Sequence, residues 1–520
     1  MKRIFLFAAV ITLLFACKPQ DKYSYEYLYE NLPFEMPKVK KPVFPANEIN
    51  ITGYGGIGDG VTLNTQAFAA AMDALSGKGG GVLIVPSGVW FTGPIVFKSN
   101  INLHLEKGAL ILFTTDVSAY PIIETSYEGI AAQRCQSPIS GRNLENIAIT
   151  GEGSINGSGE AWRPLKREKV TESHWNKVVK SGGVLKTPDL WLPFENAPFI
   201  RPVMVNLVEC KNVLLQGVLF ENSPNWDIHP LMCENLIVDG IFARNPDFAQ
   251  NGDGIDIESC KNVLVVNSTF DVGDDAICLK SGKNESGRKR GIPTENVIVD
   301  NCKVFKGHGG FVVGSEMSGG VRNISVSNCS FLGTDVGLRF KSTRGRGGVV
   351  ENVYANNINM FDIITDSFLF DLYYGGKSAS ESLDDGDETP LDEVIPAVTE
   401  ETPVFRNIYV KNLVSRNARR ALFFNGLPEM NIANINVENA CISANYGAEL
   451  SESKDIIFKN VTIIPEQGPA LLLNNVKNTK IDDLSTPDLS TVVMITGKRN
   501  ENIQLPESIE KNKIVKSENN

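Results

Sequence analysis

Three carboxylates, one imidazole and two cations lie within a short stretch in the middle of this 520-residue chain. They belong to four motifs: Asn251-Gly252-Asp253, Gly273-Asp274-Asp275, Gly307-His308-Gly309 and Arg339-Phe340-Lys341. Carboxyl and imidazole groups can donate and accept protons near neutral pH, and the two cations can bind an anionic group. This inventory predicts acid/base hydrolysis of a negatively charged substrate.

A seven-residue phrase repeats along the chain and sets the positions of these motifs. It reads charged residue, Asn, aliphatic, any residue, aliphatic, any residue, and then Gly or Asn. From residue 212 onward the successive Asn residues are 23, 27, 34, 27 and 29 positions apart. This period, with alternating aliphatic residues, predicts stacked β coils that bury their apolar faces against one another. The copies contain Asn146, Asn212, Asn235, Asn262, Asn296, Asn323, Asn352 and Asn407.

Each motif falls in a similar window after its own repeat Asn. Asp253 follows Asn235 by 18 residues, and His308 follows Asn296 by 12. Coils of a parallel β stack are ~4.8 Å apart, so Asp253 and Arg339 are expected within ~15 Å along one face. The alternative, that the motifs are unrelated surface loops, does not account for this shared phase.

The four motifs, in this order, resemble glycoside hydrolase family 28, the polygalacturonases. The phrases at residues 222–230 and 314–320 strengthen the resemblance, which covers about residues 48 to 475. Two positions depart from the usual pattern: Gly252 replaces Thr in the first motif, and Phe340 replaces the more usual Ile in the last. Asp253 is retained, so the expected chemistry is unchanged.

The resemblance implies an all-β fold, a single-stranded right-handed parallel β-helix of the pectin-lyase-like kind. It implies hydrolysis of α-1,4-linked galacturonic acid in pectin with inversion. Asp274 would be the general acid, while Asp253 and Asp275 would together hold the attacking water. His308 is expected to hydrogen-bond Asp274 or the sugar and so tune the acid. No cofactor is expected, and no metal either, since the chain lacks Cys-x-x-Cys and His-x-x-x-His spacings.

A second group of residues is predicted to bind substrate. Arg339 and Lys341 alternate on a strand, so both are expected to face the same side and clamp a sugar carboxylate. Trp226 and His229 fall in the same window one coil before Asp253, which favours sugar stacking and recognition over a packing role. The predicted substrate-binding residues are Arg339, Lys341, Asn251, Trp226, His229 and Lys280.

The charge distribution also favours an anionic substrate. The chain carries a net charge of −11, yet residues 280–346 hold twelve Lys or Arg against five acidic residues. A basic region on an acidic protein attracts anions and raises their encounter rate. We therefore expect a pectic polysaccharide or oligogalacturonide as partner, and not nucleic acid.

The first 17 residues resemble a bacterial lipoprotein signal peptide. Met1-Lys2-Arg3 precede an apolar run that is too short to span a bilayer. The run is followed by Cys17, which is predicted to be acylated. We therefore expect a monomer that is lipid-anchored to a bacterial cell envelope membrane, either periplasmic or at the cell surface.

The remaining segments are assigned by composition and periodicity. Residues 18–46 are Pro-rich and polar and predict a tether. Residues 47–496 form the predicted β-helix domain, and residues 497–520 a frayed polar tail. Asn64 can cap a short helix that carries Phe68, Met72 and Leu75 on one face. This helix is expected to close the N-terminal end of the stack.

A gap of 66 residues separates two repeat residues, Asn146 and Asn212, and is more than twice the period. It predicts an insertion between residues 158 and 198. Such an insertion could form a wall at one end of the groove, which favours exo-action on chain ends over endo-action.

Two other functions stay open at this point. A hydrolase of the same family could be directed at rhamnogalacturonan, and a non-catalytic carbohydrate-binding β-helix would keep the repeat without needing three acids at one phase. A lyase would need calcium-binding acids and a basic proton abstractor, and the pairing of His308 with adjacent aspartates argues against it.

Overall fold

The computed structural model describes residues 24–375 and 395–517, which wind into a parallel β-helix. Thirty-three strands are connected in one continuous sheet, and each coil pairs in parallel with the next. The aliphatic residues of the repeat point inward and form one long core. The predicted right-handed parallel β-helix is confirmed.

Each coil contributes strands to three faces. The repeat sheet contains the repeat Asn residues, and its strands are Glu48–Asn50, Gly81–Val85, Ile101–Leu105, Glu145–Gly151, Lys211–Gln216, Glu234–Asp239, Lys261–Val266, Thr294–Asp300, Lys477–Ser485 and Glu501–Gln504. The second sheet, which we call the groove sheet, carries the four motifs on its strands or just before them. Its strands are Ile95–Val96, Ile139–Arg142, Val205–Val208, Ile228–Leu231, Ile255–Glu258, Asp275–Lys280, Gly309–Val313, Leu338–Lys341, Asp366–Asp371, Val493–Thr496 and Ile514–Ser517. The third sheet contains Gly88–Thr92, Ala109–Phe113, Ser154–Asn156, Leu219–Glu221, Phe242–Arg244, Thr269–Asp271 and Lys303–Lys306. Long strands that turn between faces follow at Val321–Leu332, Val349–Phe361, Val404–Asn425, Ile432–Ser451 and Ser453–Asn474.

The repeat Asn residues form a hydrogen-bonded ladder that holds the coils in register. Each adopts a left-handed conformation, as at Asn262 (φ 58°), which Asn tolerates better than most residues. Asn262 donates to the Oδ1 atom of Asn235 (3.3 Å) and accepts from the amide of Asn296 (3.1 Å). A side-chain amide can donate and accept at once, so one residue type can be repeated from coil to coil.

A helix closes the N-terminal end of the stack, as predicted. Helix α1, Thr65–Gly77, begins after Asn64 and buries Phe68, Met72 and Leu75 against the first coil. The other helices are α2 (Glu172–Lys180), α3 (Ala197–Ile200) and α4 (Asn284–Arg290). None of the helices in the described ranges is both long and apolar enough to cross a membrane.

Two antiparallel elements project from the stack near its N-terminal end. The first, which we call the hairpin, pairs Ile122–Tyr127 with Ile130–Cys135. The second is the predicted insertion, which contains α2 and a small sheet of Leu165–Lys166, Val184–Thr187 and Leu190–Leu192.

Both terminal segments differ from the prediction. Residues 24–46 are not a free tether: Leu28 and Val39 are buried against outward-facing aliphatic residues of the repeat sheet. The Tyr25 hydroxyl also donates to Asp239 Oδ2 at 2.8 Å. Apolar side chains within a polar, Pro-rich segment therefore fix it to the fold. The predicted tail instead continues the stack, because 501–504 and 514–517 pair in parallel with earlier coils. The predicted signal peptide and Cys17 lie outside the described residues.

Candidate active site

The three acids of the first two motifs meet at the start of two neighbouring groove strands. One carboxylate oxygen from each of Asp253, Asp274 and Asp275 lies within 4.8 Å of the others. Gly273 allows the chain to pass close to a neighbouring loop here, because a Cβ atom at this position would lie 2.5 Å from the Pro246 carbonyl oxygen. The adjacent Asp274 and Asp275 therefore both reach the same groove, which two neighbours on a regular strand would not do.

Asp275 is held ionised by both cations of the last motif. Its side chain is buried, with Oδ2 2.7 Å from Lys341 Nζ and Oδ1 3.3 Å from Arg339 Nη1. Burial opposes ionisation, but Lys341 and Arg339 outweigh it and hold the pKa of Asp275 well below its usual range. Phe340 points the other way into the core, where its ring stacks on Phe370. Alternation on this strand thus places both cations on the groove side, as predicted.

His308 lies beside Asp274. Its Nδ1 atom is 3.0 Å from Asp274 Oδ1, and its Nε2 atom is 3.7 Å from Asp335 Oδ2. The hydrogen bond with Asp274 raises the pKa of His308, against the opposing effect of burial. The imidazole can therefore donate a proton or a hydrogen bond at the edge of the carboxylate cluster.

Asp253 is in a different electrostatic environment from Asp275. It is buried, and its Oδ1 atom accepts no hydrogen bond from the part of the chain that the structure describes. Burial, followed by repulsion from Asp256 and Asp274, raises the pKa of Asp253 well above its usual range. The cluster thus combines an ionised carboxylate, Asp275, with a carboxyl group that favours its proton, Asp253.

The hairpin covers the groove sheet next to these acids. Tyr127 packs on Trp226 with ring centroids 5.2 Å apart, and Trp226 lies in the coil whose Asp227 amide donates to the Asp253 carbonyl. At the tip, Glu128 forms an ion pair with Lys283 at 3.2 Å, beyond the far end of strand Asp275–Lys280. The hairpin therefore crosses the sheet from the beginning of one groove strand to the end of another, and it closes the N-terminal end of the groove.

This position of the hairpin corrects the predicted role of the insertion. The insertion packs at the edge of the third sheet, where His174 contacts Phe248 with ring centroids 5.1 Å apart. The segment that follows the insertion supports the hairpin from behind, since Arg134 donates to the Arg201 carbonyl at 2.6 and 2.9 Å. The wall across the groove is the hairpin, which no pattern in the sequence predicted.

Three predicted substrate-binding residues are buried beneath this cover, which corrects their expected direct contact with sugar. Trp226 is 2 % exposed, and His229 is fully buried with Nε2 2.9 Å from Glu258 Oε2. Lys280 is 4 % exposed and forms ion pairs with Glu316 at 3.0 Å and Asp256 at 3.4 Å. Their side chains are engaged by neighbouring coils and so support the floor of the groove.

Asn251 and two residues that the sequence analysis missed complete the site. Asn251 Oδ1 accepts from Arg201 Nη2 at 2.5 Å, which fixes the loop that leads to Asp253. Asp256 is buried beside Lys280. It stands between Ile255 and Ile257, which point into the core, so alternation along the strand could have predicted an acid on the groove side. Tyr374 is 38 % exposed, and its ring lies 5.0 Å from Lys341 Nζ at the edge of the groove.

Comparison with known proteins agrees with this geometry. The family model for glycosyl hydrolases family 28 matches residues 196–384. The exo-poly-alpha-D-galacturonosidase of Dickeya chrysanthemi is 27% identical over 462 residues, which cover 84% of this chain and 74% of that protein. An endo-polygalacturonase of Pectobacterium carotovorum is 29% identical over 315 residues, covering 58% and 70%.

A solved structure gives the same assignment over most of the chain. The hyperthermoactive exopolygalacturonase of Thermotoga maritima matches with a TM-score of 0.68 and 31% identity, covering 82% of this chain and 94% of that one. The resemblance seen in the four motifs is thus confirmed by sequence and by fold. The chain belongs to glycosyl hydrolases family 28 and is a glycoside hydrolase.

Proposed function

We propose that this enzyme removes galacturonic acid one residue at a time from the ends of α-1,4-galacturonan chains, with inversion. The hairpin carries the exo assignment, because it covers the coil next to Asp253 and leaves little room for sugars on that side. By sequence, the exo-acting relative of Dickeya chrysanthemi also aligns with more of this chain than the endo-polygalacturonases of Pectobacterium carotovorum and Pectobacterium parmentieri, 84% against 58% and 60%.

The geometry supports a role for each acid. Asp274, the most accessible of the three with a side chain 20% exposed, protonates the leaving oxygen while His308 orients it. Asp275 is ionised and, together with Asp253, holds the attacking water. The oxygens of this cluster are closer than the roughly 6.5–9.5 Å between carboxyl groups of a two-carboxylate inverting site, so we propose inversion from the family membership.

The test is product analysis on polygalacturonic acid. We expect the wild-type enzyme to release galacturonic acid monomer from the start of the reaction, and Asp274→Asn to release almost none. Glu124 and Gln133 pair across the hairpin, so a variant that joins them through Gly-Gly shortens it without changing its register. This variant is expected to produce a ladder of oligomers.

The control is Glu124→Ala, which removes an exposed side chain whose amide partner is Gln133 and leaves the hairpin at full length. Oligomers from the wild-type enzyme would refute exo-action. Release from rhamnogalacturonan alone would move the substrate to that polymer. No release by the wild type from either polymer would favour a carbohydrate-binding protein.

We also propose that the protein is a monomer anchored to a cell envelope membrane through an acylated Cys17. The apolar run that ends just before this residue supports the proposal. Labelling with a radioactive fatty acid, compared between wild type and Cys17→Ala, tests it, and equal labelling would refute it.

A further inference from the structure

The groove continues past the acids toward the C-terminal coils. The strand position occupied by Arg339 is occupied by Leu369, Phe423 and Glu449 in the next three coils. Three coil spacings place Glu449 about 14 Å from Arg339 along the groove. Because the hairpin closes the other end, a polymer with its end at the acids extends over these coils; this step rests on the proposed function.

A cavity of about 280 Å³ opens in this part of the groove. It is lined by residues of three successive coils, the last of which contributes residues 467–469. The side chains that matter here are Arg419, Arg420, Tyr446 and Glu449. The cavity thus lies in line with the acids, with Arg420 four coils and Tyr446 five coils beyond Asp275, or roughly 19–24 Å along the groove.

One wall of the cavity is held rigidly. Arg420 forms ion pairs with Asp366 at 2.7 Å and with Glu449 at 2.6 Å, and its guanidinium stacks over the Phe423 ring. These two carboxylates neutralise the charge of Arg420 and fix its orientation. Arg420 therefore supports the wall and does not provide a free cation.

Two neighbouring groups, by contrast, are available to a ligand. Arg419 is exposed and forms no ion pair with any residue in the ranges 24–375 and 395–517. Tyr446 is 45 % exposed and pairs with Arg420 in adjacent coils. An unpaired guanidinium binds a carboxylate by two parallel hydrogen bonds, and an exposed tyrosine ring offers an apolar face with a polar edge.

We infer that Arg419 and Tyr446 form a distal site for a galacturonate residue of the polymer, several sugars away from the bond that is cleaved. Arg419 binds the carboxylate, and Tyr446 packs against the sugar ring. The site adds affinity for long chains only, because a disaccharide bound at the acids does not extend this far. It therefore sets the preference of the enzyme for chain length.

The experiment compares kcat/KM on digalacturonate and on long-chain polygalacturonate for wild type, Arg419→Ala and Tyr446→Ala. A lost charge-assisted hydrogen bond predicts a decrease of about tenfold on the long substrate for Arg419→Ala. The ratio between the two substrates falls by the same factor. Arg416→Ala removes an exposed arginine from the same strand, outside the cavity, and is the matched control.

Equal losses on both substrates would indicate a general structural effect and overturn the inference, as would unchanged kinetics on the long chain. Arg419→Gln keeps much of the side chain and repeats the test if the alanine variant unfolds. Failure of the wild type to hydrolyse either substrate would instead refute the proposed function, so the two failures are distinguishable.

Discussion

Replacement of Lys341 by Met tests the electrostatics of the site most directly. Lys341 Nζ lies 2.7 Å from Asp275 Oδ2, and both groups are buried. Met has a similar length but no charge, so Arg339 remains as the cation that contacts Asp275, at 3.3 Å. Burial then opposes ionisation of Asp275 with less compensation, and its pKa is expected to rise.

The size of this rise follows from the contact that is lost. A hydrogen bond between charged groups contributes about 1.5–3 kcal/mol, and about 1.4 kcal/mol corresponds to one pKa unit. We therefore expect the acid limb of the kcat/KM profile of Lys341→Met to move up by about 1–2 pH units. Lys341 is also a proposed ligand for the substrate carboxylate, and loss of that contact lowers the whole profile without moving its limb.

The assay is kcat/KM for trigalacturonate between pH 2 and pH 7, a range that extends below the usual pKa of an aspartate. Lys306→Met is the control, because it removes only an exposed ion pair with Asp247, and its acid limb is expected to coincide with that of the wild type. A lower profile for Lys341→Met with an unmoved acid limb would refute the reasoning. It would show that Lys341 does not control the ionisation of Asp275.

Two further predictions concern stability. Burial is the main cause that raises the pKa of Asp256 to about 8 in the folded protein. The unfolded chain loses this proton at a lower pH, so the folded state loses stability as the pH rises from the unfolded pKa toward 8. Asp256→Asn is therefore expected to unfold like wild type in urea at pH 4 but to be more stable at pH 8, by roughly 3–5 kcal/mol, and lower stability at pH 8 would contradict this. Tyr25→Phe removes a buried hydrogen bond to Asp239 and is expected to cost about 1.5–3 kcal/mol in urea unfolding. Tyr27→Phe, whose more exposed contact is 3.4 Å long, should cost less, and equal costs would refute the buried contact as the cause.

The features predicted from the sequence are those that recur from coil to coil. The repeat that contains Asn262 forms the strand Lys261–Val266 in the structure, because its alternating apolar residues reflect contacts within one coil and the next. The same periodicity brought Asp253, Asp274 and Lys341 to one face, since the coil spacing limits their separation. A regular stack thus makes residues that are distant in sequence predictable neighbours.

The features that were not predicted depend on contacts between distant segments. The hairpin is largely exposed and breaks the repeat, and its contacts with Trp226 and Lys283 show that it crosses the groove. Burial of Trp226 beneath the hairpin could not be inferred from its position in the repeat. That position predicts the face of the sheet on which a residue lies, but not which segment covers it. The N-terminal segment has the composition of a linker, yet its buried apolar side chains, such as Leu28 and Val39, attach it to the fold.

The stack also explains which acid keeps its proton. A side chain on the groove face has its closest neighbours in the coils above and below. A buried charge is therefore stabilised only where one of those coils supplies a residue of opposite charge. Asp275 receives Lys341 and Arg339, and Glu316 receives Lys280. Asp253 has no such ion pair among the described residues, and its Oδ1 atom accepts no hydrogen bond from them. A carboxyl group whose burial is not offset by a contacting cation favours its neutral form, so Asp253 keeps its proton while Asp275 stays ionised beside the attacking water.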